Sequence, residues 1–277
     1  MTDELPPLRD VIDQYDLGAK KSLGQHFLLD LNITRKIIRD ANTIAADTVL
    51  EIGPGPGGLT RALLETGAHV VAIERDRRCV EALQELTAYY PNKLHIIEED
   101  ALKARELDLL DIKPVKIISN LPYNISTELL IKWLRAGPKL WSVMALMFQK
   151  EVADRILAAP GSKTYGRLSI ITQTMTIPSR AFDLPARAFT PPPKVDSTVV
   201  IFHQPAQYFE HLNALEVITQ AAFSQRRKML RSSLKPVFGG KLAEALAACD
   251  IKETQRAEEL SVDQFKQLAV FQRRKLS

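Results

Sequence analysis

The sequence predicts an α/β molecule, a doubly wound sheet of mainly parallel strands followed by a smaller all-α unit. Three observations carry this. From residue 30 to about 158, short apolar runs alternate with helical patterns, the order that builds a parallel sheet with helices on its faces. A Gly-rich turn, Gly53 to Gly58, follows the first strong run and opens a helical pattern. After His203 only helical patterns remain, which puts a boundary near Gln204–Ala206 and divides the chain into 1–204 and 205–277.

The elements follow in order. Thr48–Ile52, His69–Glu74, Leu94–Glu98, Lys116–Ser119 and Ser142–Phe148 read as buried parallel strands, being nearly continuous apolar runs. Between them, Leu59–Leu64 is helical and stops at Gly67, and Asp76–Ala88 sets Val80, Leu83 and Leu86 on one side. Ser126 is placed to cap a helix whose inner face carries Leu129, Leu130, Trp133 and Leu134. Leu168–Ile177 and Ser197–Phe202 read as two further strands, paired as an antiparallel ribbon at the sheet edge. Asn213–Phe223, Arg226–Leu234, Lys241–Ala248 and Val262–Phe271 then read as helices. Ser261 and Gln264 stand in capping-box register before the last.

Composition narrows the function classes. Of the 277 residues, 45% are hydrophobic and 25% charged, the balance of an ordinary globular protein. No apolar run reaches the roughly 18 residues that a membrane helix needs. The acidic N-terminus, without an apolar stretch, gives no secretory signal, so the expected compartment is the cytoplasm. Cys79 and Cys249 lie far apart, and the five histidines have no ligand spacing; neither a disulfide framework nor a metal is expected. From Pro205 onward there are 12 Lys and Arg against 8 Asp and Glu, which is the whole of the chain's +4. A basic C-terminal part beside a neutral body suits a polyanion partner, although a solvated helical face would look the same.

Two motifs carry chemistry. Gly53, Gly55 and Gly58 satisfy GxGxxG, and Glu74 ends the next strand 21 residues after Gly53, so a dinucleotide site must be weighed. Pro54 and Pro56, however, remove N–H donors that a pyrophosphate would need, and Glu51 would face that phosphate. A cationic cofactor without phosphate, S-adenosylmethionine, suits the turn better; Glu74 would take its ribose hydroxyls and Asp100 its adenine amine. The second motif, Asn120-Leu-Pro-Tyr123, follows the fourth strand, where an open α/β sheet binds ligands. An exocyclic adenine amine is a weak nucleophile because its lone pair is delocalised into the ring. The side-chain oxygen of Asn120 and the carbonyl of Leu121 can accept its two hydrogens and turn the lone pair outward. Pro122 stiffens the turn, and Tyr123 offers a face for an extruded base.

With these pieces placed, the chain resembles the ribosomal RNA adenine dimethylase family, on the side of its small-subunit members. The resemblance rests on Lys20–Leu28, the Glu51–Gly58 turn, Asn120–Tyr123, Phe189–Ser197 and Phe223–Leu230, and so spans most of the chain. It implies a Rossmann-like S-adenosylmethionine-dependent methyltransferase sheet with a smaller all-α C-terminal domain. His26, Leu28, Gly53, Gly55, Glu74, Asp100 and Asn120 would contact the cofactor, S-adenosyl-L-methionine; Tyr123 and Phe189 would sandwich the target base. The implied reaction dimethylates N6 of two adjacent adenosines near the 3′ end of 16S rRNA, in an immature small ribosomal subunit. The protein would act as a monomer. Arg226, Arg227, Lys228 and Arg231, with Lys235 nearby, would meet rRNA phosphates, and Lys163, Tyr165 and Arg167 would add contacts. Rival readings are a DNA adenine methyltransferase, a large-subunit rRNA dimethylase, and a binding protein of the same fold that has lost catalysis.

Overall fold

A computed structural model describes residues 5–18, 26–225 and 227–276, and they form two compact units. The first comprises 1–153 and 179–203, the second 154–178 and 204–277. A single boundary near residue 204 was expected; here the stretch 154–178 groups with residues 204–277.

Among the described residues nine strands run in chain order: β1 (Phe27–Leu28), β2 (Thr48–Ile52), β3 (His69–Glu74), β4 (Leu94–Glu98), β5 (Val115–Ser119), β6 (Trp141–Gln149), β7 (Ile177–Leu184), β8 (Phe189–Thr190) and β9 (Ser197–His203). Seven of them form one sheet in the order β4-β3-β2-β5-β6-β9-β7. Strands β2 to β6 are mutually parallel, and β9 runs antiparallel to β6, pairing Val143 with His203 through Gln149 with Ser197. This is a Rossmann-like sheet in which β2, the first of the five parallel strands, is the middle one of those five. Its interior is apolar: Val49, Leu50, Ile117, Ile118, Met144 and Val200 are at most 1% exposed. Burial of that kind on both faces is why β2, β5 and β6 read as continuous apolar runs, whereas β4, expected to be buried, is an outer strand of the sheet and half-buried or exposed throughout.

Three local expectations are corrected. Leu168–Ile177 is not a strand; Arg167–Met175 is an α-helix, and the edge strand is the next segment, Ile177–Leu184. That helix buries Leu168, Ser169, Ile170, Ile171, Thr172, Thr174 and Met175, nearly its whole circumference, so no 3.6-residue alternation marks it and its Ile and Thr mimic a strand. Ser126 begins the helix Ser126–Ala136 but does not cap it; its hydroxyl donates to the Tyr123 carbonyl at 3.0 Å. The expected helix Arg226–Leu234 shrinks to the single turn Leu230–Ser233.

The second unit is helical, built on Arg167–Met175, Leu212–Phe223, Leu242–Ala248 and Val262–Leu276. Its core stacks Phe223 on Phe265, ring centres 6.0 Å apart, with Leu215, Ile218 and Leu268 fully buried around them. The capping box stands as expected: Gln264 Oε1 accepts from the Ser261 N–H at 3.0 Å and Ser261 Oγ from the Gln264 N–H at 3.2 Å. Among the described residues no helix is long and apolar enough to cross a membrane.

Candidate active site

Strands β2 and β5 lie side by side where the strand order reverses, and such a point opens a crevice at the carboxyl ends. Ser119 Oγ ties those ends together by donating to the Ile52 carbonyl at 2.6 Å. Around the crevice, a cavity of about 150 Å³ is lined by the glycine turn after β2, Glu74 at the end of β3, Asp100 after β4 and Asn120–Tyr123 after β5. His26, Phe27 and Leu28 close it from the N-terminal side. The structure thus gathers His26, Leu28, Gly53, Gly55, Glu74, Asp100 and the whole Asn120–Tyr123 motif at one site. Of the Lys20–Leu28 motif, Lys20 to Gln25 lie outside the described residues, as does Arg226.

The glycines have separate reasons. Gly53 and Gly55 hold φ of 64° and 57°, in the left-handed region that a side chain disfavours. Gly58 has no such φ, but a Cβ there would stand 2.4 Å from the Leu28 carbonyl oxygen, because β1 lies directly on the turn. Three N–H groups of the turn are already engaged. Gly53 donates to the Ile73 carbonyl at 2.9 Å, Gly57 to the Pro54 carbonyl at 3.1 Å, and Gly55 to Glu74 Oε2 at 3.2 Å. With Pro54 and Pro56 lacking an N–H, little is left to cradle a pyrophosphate.

Carboxylates dominate instead. Glu74, 6% exposed, also accepts at Oε1 from the Arg75 and Asp76 N–H groups at 2.7 and 2.8 Å, which fixes its orientation. Burial raises its pKa. Glu51, 2% exposed, accepts from Thr60 Oγ1 at 2.7 Å; burial, with a smaller push from Glu74, raises its pKa to about 8. Asp100 accepts from the Leu102 N–H at 3.0 Å and faces Arg75 Nη1 at 3.3 Å. Two or three acids around one cavity with few free N–H donors fit a cationic nucleoside cofactor that carries no phosphate.

At the end of β5, Asn120 Nδ2 donates to the His26 carbonyl at 2.9 Å. That bond orients the amide and leaves Oδ1 as its free acceptor; among the described residues no donor meets it or the Leu121 carbonyl. Tyr123 donates to or accepts from Ser197 Oγ at 2.6 Å, and burial raises its pKa, so it stays a neutral phenol. Its ring stacks on His26 with centres 5.4 Å apart and planes 27° apart. His26 Nδ1 bonds the Pro191 carbonyl at 2.8 Å. One residue therefore joins three parts of the site.

Phe189 is not brought to Tyr123. It pairs with Leu28 across β1 and β8, is 3% exposed, and packs in the core with Leu28, Leu184 and Val199. Its apolar bulk serves the ribbon that lies on the glycine turn. Tyr165 is likewise removed from the expected RNA contacts: it is 1% exposed, with its hydroxyl on the Leu260 carbonyl at 3.0 Å. Arg227, Lys228 and Arg231 are exposed. Sequence reasoning missed Phe27, Thr60 and Arg75 in the site. Arg75 stands directly after Glu74 and Phe27 between His26 and Leu28 in the Lys20–Leu28 motif, so position alone could have flagged both; Thr60 sits in a segment that reads as plain helix.

A family model described as ribosomal RNA adenine dimethylase matches residues 17–273. A ribosomal RNA small subunit methyltransferase A of Sinorhizobium medicae is 53% identical over 281 residues, covering 96% of this chain and 97% of that one. One of the same name from Brucella anthropi is 54% identical over 271 residues, covering 96% of each. Among solved structures, a dimethyladenosine transferase from Plasmodium falciparum superposes with a TM-score of 0.80 at 28% identity, covering 90% of this chain and 98% of that one. The 23S rRNA methyltransferase ErmE shares the fold, with a TM-score of 0.68 at 23% identity over 88% of this chain and 98% of that one. By its motifs, its cavity and a match over nearly its full length, the chain belongs to the ribosomal RNA adenine dimethylase family.

Proposed function

We propose that this protein is an S-adenosylmethionine-dependent rRNA (adenine-N6,N6)-dimethyltransferase, acting on two adjacent adenosines near the 3′ end of 16S rRNA in the immature small subunit. The observation that carries the reading is the pair of free acceptors, Asn120 Oδ1 and the Leu121 carbonyl, at the cavity where β5 ends. They match the two hydrogens of an adenine N6 amine. Family membership and the small-subunit relatives support the substrate.

When bound, S-adenosylmethionine supplies a methyl group on a sulfonium. Glu74 would accept its ribose hydroxyls and Asp100 its adenine amine, and the His26–Leu28 segment would close the cavity over it. Accepting both N6 hydrogens fixes the target amine and holds its lone pair towards the methyl group. The methyl group it would supply replaces a hydrogen of the N6 amine, whose proton passes to water afterwards, so this chain need hold no strong base before attack. Tyr123 has one face on His26 and offers the other to the target base. After the first transfer one N6 hydrogen remains, and one acceptor suffices to hold it for the second.

The test is mass spectrometry of rRNA nucleosides after incubating the purified protein with unmethylated small subunits and cofactor. N6,N6-dimethyladenosine in the 3′-terminal fragment of 16S rRNA is the expected product. Its absence there overturns the assignment.

A further inference from the structure

A second cavity, about 960 Å³ and open to solvent, lies in the sheet-bearing unit and is lined by Arg9, Asp30, Arg61, Glu65, Arg187 and Thr190 among others. Arg61 belongs to the helix Gly58–Glu65 and is 5% exposed. Its Nη1 donates to the Pro6 carbonyl at 2.5 Å, while its buried Nε has no hydrogen-bond partner. Among the described residues no carboxylate pairs with it. The nearest candidate, Glu65, is committed elsewhere, both oxygens accepting from Arg35 at 2.8 Å. Asp30 is also engaged, as the cap that accepts from the Asn32 N–H at 2.8 Å.

A buried guanidinium with one carbonyl contact and no counter-charge is costly unless an anion completes it. Burial lowers the Arg61 pKa, in keeping with that missing partner. Exposed Arg9 and Arg187 line the same cavity, and neither pairs with a carboxylate among the described residues. Three planar forks around one opening match the oxygens of a phosphate better than a single carboxylate. Neither the adenine chemistry nor the cofactor uses any of these residues.

We infer that the cavity of Arg61, Arg9 and Arg187 is an anion site for a phosphate group, separate from the catalytic cavity. Two sources share that chemistry, a phosphodiester of the RNA substrate and free inorganic phosphate. Only the first rests on the function proposed above. Inorganic phosphate is titrated calorimetrically into the full-length protein, the Arg61→Met variant and the doubly substituted Arg9→Gln/Arg187→Gln variant. In parallel, small-subunit affinity is measured against salt for all three. Free phosphate as ligand predicts saturable binding in the wild type, weakened at least tenfold in both variants, with unchanged salt slopes. An RNA phosphodiester predicts that Arg61→Met lowers the slope of log affinity against log salt by about 0.7–0.9. If Arg61→Met does not fold, the exposed double variant carries both readouts alone. No phosphate binding by the wild type together with unaltered salt slopes overturns the site. Methylation activity is not a readout of either titration, so failure here is distinct from failure of the proposed function.

Discussion

Asn120 does two jobs with one amide: Nδ2 donates to the His26 carbonyl and Oδ1 is left to accept. The roles separate by substitution. Asn120→Ala removes both and should cut turnover by about 10²–10³, the usual loss for one oriented polar group in a transition state. Asn120→Asp keeps an acceptor but cannot donate, and its charge would face a carbonyl, so it should be similarly impaired; single-turnover assays on small subunits read both, and wild-type rates in either would remove the residue from the mechanism. Glu51 gives a pH dependence. Its carboxyl holds its proton up to about pH 8 in the fold against an ordinary value of 4.5. Over that window the native state binds more protons than the unfolded chain, so stability should fall as pH rises from about 4.5 to 8 and level off above. A cationic cofactor favours the carboxylate, so its affinity should climb with pH, by at most about tenfold per unit, below the same limit. Glu51→Gln should flatten both trends in denaturant and calorimetric titrations across pH 5–8; an unchanged slope would rule Glu51 out as the titrating group. The identity of these residues was legible because Glu74, Asp100 and Asn120 end or follow an apolar run and Glu51 interrupts one just before the glycine turn. The second role of Asn120 was not, since its partner lies 94 positions away.

At the level of elements, the parallel strands were readable and the far edge strand, β7, was not. A strand buried on both faces is a block of apolar residues, whereas β7 is exposed or half-buried at every position but Leu184 and includes Pro178, which an edge strand tolerates. The short ribbon of β1 and β8 was also invisible: two residues cannot show a period. Yet it positions the site, because Leu28 lies on Gly58 and Phe27 on Gly55, where an added Cβ would meet the Phe27 ring at 2.9 Å. Gly58→Ala should therefore push β1 off the turn. The obstacle is the Leu28 carbonyl, which cannot swing aside as a side chain would, so a loss of about 1–3 kcal/mol in stability is expected, with weaker cofactor binding. Gly240→Ala, with nothing within 4 Å of the added methyl, is the matched control and should change neither. Equal denaturation midpoints for the two variants would show that the contact is not limiting.

Across the whole molecule, charge is sorted more sharply than the sequence boundary suggested. Residues 154–178 and 204–277 carry 15 Lys and Arg against 9 Asp and Glu, a balance of +6, and the remainder carries 22 against 24, or −2. The extra excess comes from Arg155, Lys163 and Arg167 against Asp154, in the stretch that the fold assigns to the helical unit. An acidic unit with buried carboxylates suits a cationic cofactor and, outside the cavity of Arg9, Arg61 and Arg187, offers little to a polyanion, while the basic unit offers the reverse. The exposed side chains of Arg227, Lys228 and Arg231 are one concentration of that charge. Replacing all three with Gln should leave cofactor affinity unchanged and weaken small-subunit binding. If each meets a phosphate, the slope of log affinity against log salt should fall by about 0.7–0.9 per residue, and by about 2–3 for the triple variant. Solvated residues with no RNA in reach would give salt lines parallel to wild type. Parallel lines would therefore withdraw these three from the RNA surface whatever happened to methylation, because a rate can fall for many reasons and a counterion slope reports the contacts themselves.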